Sequence, residues 1–139
     1  MILGTLIIHA AMFGFMLFFA IVISPAAIKV LDSSSASTFL RHIFPRIFAF
    51  GFIVATAATI TSYLAFSYRD SVFWLSLISA VLFLINWLLI TPKINSYRDL
   101  VLEGDMSAKK TFGMLHGLSV GFFFLQMVGS GVVVYLLYS

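Results

Sequence analysis

Apolar residues along this chain come in four long, nearly unbroken runs. Residues 3–24, 47–67, 72–91 and about 112–138 are apolar on every side of a helical turn. A bilayer core of about 30 Å needs about 20 such residues in helical form. Each run is long enough, and no other segment is. Barrel strands would alternate apolar and polar positions over about 10 residues, and these runs do not. A helix also satisfies its own backbone hydrogen bonds, which lipid cannot do. The pattern predicts an all-α fold, a four-helix transmembrane bundle forming a single domain over residues 1–139.

Polar residues between the runs set the connections. Tyr68-Arg69-Asp70-Ser71 predicts a tight turn, which makes spans two and three antiparallel neighbours. Asp32-Ser33-Ser34-Ser35 offers caps for the next helix. That helix is expected near Ser37, as a short interfacial helix ahead of span two. Pro45 either kinks it or occupies its first turn, and Pro25 and Pro92 bend or end spans one and three. Glu103-Gly104-Asp105 reads as a break. The first run lacks a basic n-region and exceeds a signal-peptide core in length, so it reads as retained.

Composition supports a membrane solvent. Hydrophobic residues make up 62% and charged residues 9% of the chain, where a soluble domain carries about 25% charged. The absence of cysteine excludes disulfides, thiolate metal sites and cysteine nucleophiles. Net charge is +3, without the clustered basic and aromatic surface of a nucleic-acid binder. The basic residues follow topology instead. Lys29, Arg41 and Arg46 lie between spans one and two, and Lys93, Arg98, Lys109 and Lys110 between spans three and four. Arg69 alone lies between spans two and three. The positive-inside rule then puts both termini on the outer (periplasmic) side and the two longer loops in the cytoplasm. The expected location is a bacterial inner (plasma) membrane.

Small residues mark helix-packing faces. Gly51, Ala55, Ala58 and Ser62 form one stripe, and Gly113, Gly117 and Gly121 recur every fourth residue in span four. Both faces are expected against other helices, within the bundle or in an oligomer.

Polar side chains inside a span are costly and invite functional readings. They are His9, Asn86, His116 and Gln126. No Asp, Glu, Lys or Arg lies well inside a span, which weighs against a proton- or sodium-coupled transporter. His116 lies about four residues, or about 6–8 Å, inside span four. His42 and Arg46 approach the same face from span two, and Lys93, Asn95 and Arg98 from span three. The expected ligand-binding set is His42, Arg46, Asn86, Asn95, Arg98, His116 and Ser119. Its chemistry suits an anionic headgroup or a phosphate-bearing ligand. Its bland counterpart is a set of positive-inside anchors with a hydrogen-bonded histidine. Haem b is a sharper alternative. His9 and His116 are separated by about 13 Å of depth and cannot easily share one iron, whereas His42 and His116 match in depth. A metal held by those two with Asp99 is equally open. No serine-hydrolase, zinc-protease or phosphate-loop signature occurs, and no catalytic residue is assigned.

Three segments carry a family resemblance. They are Ile43-Phe44-Pro45-x-x-Phe48, then Asn86 with Pro92, then Phe112-x-x-x-His116-Gly117-Leu118-Ser119. In this order they resemble the transmembrane-protein-205-like family, whose bacterial members form a domain of unknown function. The resemblance implies a four-span membrane protein and draws attention to Phe44, Pro45, Asn86, Pro92, His116, Gly117 and Ser119. It implies no established activity. The family pattern has an asparagine four residues after the last of these, where this chain has Phe123.

The leading functional expectation is association, as a homo-oligomer or an accessory subunit of a larger membrane complex. A transporter or channel for a small solute, ion or metal is the alternative, and a haem-binding redox protein the next. Membrane lipid is the expected contact, and nucleic acid is not.

Overall fold

A computed structural model describes residues 1–67 and 70–139. Tyr68 and Arg69, half of the expected tight turn, lie outside the described residues. The described chain forms four helical columns without strands: α1 (Ile2–Val30), α2 (Ser33–Phe66), α3 (Ser71–Leu102) and α4 (Ala108–Tyr138). All four are long and apolar enough to cross a membrane. Each packs on the next in sequence, and α4 closes the bundle against α1. One end of the bundle carries both termini. The other, the loop end, carries the α1–α2 and α3–α4 connections.

The columns are longer than the apolar runs because their ends are capped in water-compatible sequence. Asp32 accepts the backbone N–H groups of Ser34 and Ser35 at 3.0 Å each, so α2 starts at Ser33 rather than near Ser37. No separate interfacial helix precedes span two: α2 continues unbroken, with Pro45 well inside it. At the end of α3 the chain turns at Gly104, whose φ of +99° is the left-handed region that favours glycine.

Pro25 and Pro92 do not end their helices. The turns just before them, Phe19–Ile23 and Asn86–Ile90, widen to π geometry. Ser24 N–H bonds Phe19 O, and Thr91 N–H bonds Asn86 O, each five residues back. That shift of register absorbs the missing proline N–H and lets each helix continue with a bend.

Towards the terminal end the bundle is tightly packed. In lipid, close van der Waals packing and interhelical hydrogen bonds hold helices together. On α2, Gly51, Ala55, Ala58 and Ser62 are buried. A Cβ at Gly51 would overlap the Phe83 ring of α3. Met12, Met16, Phe48 and Phe83 fill the centre with almost no exposure. Polar ties cross between columns: Thr5 donates to Thr61 at 3.1 Å, and Gln126 donates to Ser79 O at 2.9 Å.

Candidate functional site

The loop halves of the four helices enclose a cavity of about 1130 Å³. Its size lies slightly above the usual range of small-molecule sites, about 300–1,000 Å³. Its chemistry is graded. The deep wall is aromatic: Phe19 meets Phe44 at 5.4 Å and Phe123 at 6.0 Å between ring centroids, and Phe44 stacks on Phe48 at 5.8 Å. The mouth is polar and charged, with Arg41, Asn95, Arg98 and His116 lining it.

Arg41 reaches across from α2 to hold both carboxylate oxygens of Asp99 on α3, at 2.6 and 2.8 Å. A bidentate pair of this kind fixes orientation as well as neutralising charge. Arg98, the neighbour of Asp99 on α3, makes no salt bridge of its own among the described residues. It donates to Ser37 O at 3.3 Å and lies 5.6 Å from the centroid of the Phe112 ring. The same ring stacks nearly parallel to His116, at 6.1 Å and 10°. Asp99 faces both guanidinium groups, so two positive groups and one negative leave a net positive charge at the mouth, beside an aromatic ring.

Two further polar groups mark the interior side. Thr91, in the turn that carries Pro92, lines the cavity with its hydroxyl buried and without a hydrogen-bond partner among the described residues. Behind the cavity, Asn86 is fully buried and donates to Ser119 O at 3.3 Å, tying α3 to α4. Its side-chain oxygen has no partner among the described residues. The three prolines are all in the loop halves that form this space.

Five of the seven expected ligand-binding residues thus come together: Asn95, Arg98, His116 and Ser119 line the cavity, and Asn86 backs it. His42 and Arg46 do not join them. With Phe39 and Ile43 they border a shallow separate depression on the other side of α2. His42 Nδ1 is 2.9 Å from Thr38 O, and Arg46 donates to His42 O at 2.6 Å, so both are engaged on their own helix. The physical reason is helical phase. Arg41, Phe44 and Phe48 follow a spacing of three and four residues on one face, and each of the other two is displaced from that face. Asn95, Arg98 and the residues missed by sequence reasoning, Arg41, Thr91 and Phe112, were reachable by the same count.

The histidines are consequently dispersed. His42 and His116 lie on different surfaces, so the fold does not assemble the pair that a haem iron would need. Asp99 is committed to Arg41, and among the described residues no three of His, Asp or Glu converge. His9 is fully buried near the terminal end, 2.9 Å from Ser76 Oγ. The Ser76 hydroxyl donates to Val72 O at 2.7 Å, so it accepts from His9 Nε2–H. His9 is a tie between α1 and α3.

Small residues also divide. Gly51 and Ala55 pack inside the bundle. Gly113, Gly117 and Gly121 are exposed on α4 and meet nothing within 4 Å among the described residues.

Four apolar columns, one tight end and one cavity define an integral membrane protein built as a four-helix bundle. The chain belongs to the family described as a domain of unknown function, DUF4149, which matches residues 7–101. That match takes in α3 almost to its end and stops before α4, which supplies His116, Ser119 and Phe123. No curated protein and no solved structure matches the chain.

Proposed function

We propose that this protein binds an anionic amphiphile from the membrane, with the headgroup at Arg98 and the chain against the phenylalanine wall. The observation that carries this reading is the grading of one cavity from a net positive mouth to a wall of aromatic rings. Asn95 and His116, which line the same mouth, supply further hydrogen bonds to a phosphate or carboxylate headgroup. The positive-inside rule places the loop end in the cytoplasm, so the mouth meets the anionic leaflet of a bacterial inner membrane. Passage through the bundle is not part of this reading, because Met12, Met16, Phe48 and Phe83 fill the path beyond the cavity. The residues around the cavity include Phe44, Asn86, His116 and Ser119, which carry the likeness to the transmembrane-protein-205-like family. We read the chain as a bacterial relative of that family in which Phe123 makes the deep wall apolar.

The test uses purified protein in a mild detergent and three probes: dodecyl phosphate, dodecanol and inorganic phosphate. Dodecyl phosphate binds best. Arg98→Ala weakens it by about 10- to 100-fold, the usual worth of a charge-assisted hydrogen bond. Arg46→Ala, on the other side of α2, leaves it unchanged. Equal affinity for inorganic phosphate, or equal loss in both variants, contradicts the reading.

A second reading, association of copies through α4, is favoured by Gly117 and Gly121. They are exposed rather than buried, and such small residues admit close helix contact. Gly121→Leu would then convert a cross-linkable dimer in vesicles to monomer. A wild-type protein that stays monomeric at high density in vesicles rejects it, and an accessory role in a larger complex would need a stoichiometric partner in the purified sample.

A further inference from the structure

The cavity has a side as well as a mouth. On α4, Gly131 and Gly113 are 18 residues apart, five full helical turns, so they lie on one face. At Gly131 that face is covered: a Cβ there would lie 3.4 Å from the Phe13 ring of α1. At Gly113 nothing lies within 4 Å among the described residues. The helix that covers α4 near the terminal end has left it at the loop end. The backbone agrees. The segment of α1 over residues 2–18 packs on α4, but no Cα of residues 19–30 comes within 8 Å of a Cα of α4. The departure begins at the π turn before Pro25. Ala20 and Ser24 on the departing segment and Val120 on α4 all line the cavity.

We infer that this gap between α1 and α4 is a lateral portal through which an amphiphile enters from the bilayer, chain first. The inference rests on the cavity binding an amphiphile and adds its source: a ligand dissolved in the membrane rather than in the cytoplasm. Two features of the portal suit that traffic. Its floor at Phe19 and Phe123 is apolar and continuous with lipid, so a chain is never exposed to water. Its α4 edge at Gly113 carries no side chain, which leaves width for a headgroup sliding towards Arg98.

Gly113→Phe narrows the gap at a position that lines neither the headgroup site nor the aromatic wall. The protein is placed in nanodiscs and offered dodecyl phosphate from vesicles or butyl phosphate from solution. The variant binds vesicle-delivered dodecyl phosphate at least about tenfold more slowly, while butyl phosphate enters through the mouth at the wild-type rate. An unchanged dodecyl phosphate rate, or equal slowing of both probes, overturns the portal. Failure of wild-type protein to bind either probe overturns the cavity reading instead. A second construction guards against misfolding of the variant. Because the chain has no cysteine, Ile23→Cys with Val120→Cys permits one cleavable thiol tether across the gap. The tether slows dodecyl phosphate and its cleavage restores the rate; a tether without effect rejects the portal.

Discussion

The two ends of this bundle use the same four helices for opposite purposes. Towards the termini, small residues bring the backbones of α2 and α3 together, and buried hydrogen bonds tie α1 to α3 and α4 to α3. Towards the loops, each of α1, α2 and α3 carries a proline, two of them preceded by π turns, and the columns separate around a cavity. Lipid gives helices little reason to associate beyond packing and hydrogen bonds. Where the sequence supplies close-fitting pairs the bundle is closed, and where it supplies bends and charges it is open.

The strongest way to break the comparison is to damage the closed end. Gly51→Leu drives a side chain into the Phe83 ring, and overpacking of a filled core costs about 1–3 kcal/mol. We expect a loss at the top of that range, read as a fall in thermal stability in detergent. An unchanged melting temperature would mean that α2 and α3 are not in close contact there. His9→Ala comes next. It removes a buried hydrogen bond and leaves Ser76 without its histidine partner, for about 1–3 kcal/mol. Amphiphile affinity should stay at the wild-type level, because His9 lies far from the mouth. Loss of affinity at unchanged stability would reverse the roles assigned to the two ends.

Straightening the open end should do the converse. Pro25→Ala with Pro92→Ala restores backbone donors and lets α1 and α3 run straight. Thermal stability is expected to hold or rise, within the roughly 3 kcal/mol that an interior proline can cost. Dodecyl phosphate affinity should fall as the cavity narrows. A double variant that binds normally would show that the bends do not make the site.

The smallest effect belongs to Asp32. Hydrogen bonds from Ser35, then Ser34, hold its carboxyl below its ordinary value of 3.8. A group with a lowered folded pKa contributes stability above its unfolded pKa and loses it as pH falls through the folded one. The first turn of α2 should therefore fray as pH drops below about 4. Asp32→Ala should show the same fraying at neutral pH, as faster amide exchange at Ser34 and Ser35. Equal exchange in both proteins would remove the cap.

Much of the closed end was legible in the sequence. The four helical columns followed from the apolar runs, and the Gly51 stripe from its spacing. The open end was legible only in part. A proline in an apolar run signals a bend or an end, and the choice depends on whether a π turn can absorb it, which residue types near Pro25 and Pro92 do not announce. The basic residues near the interface were visible as a group. Their division between two surfaces depended on helical phase, which separates Arg41 from His42 and Arg46. That α1 leaves α4 beyond Phe18 is a tertiary fact with no local signal, and it decides that Gly113 is open while Gly131 is covered.

The most direct test of the central claim is photo-crosslinking in nanodiscs with a dodecyl phosphate analogue carrying a diazirine in its chain. The account predicts labels on Phe44, Phe48 and Phe123, displaced by excess dodecyl phosphate and lost in Arg98→Ala. Labels spread over lipid-facing residues such as Ile53 and Leu125, indifferent to competitor and to Arg98, would contradict it.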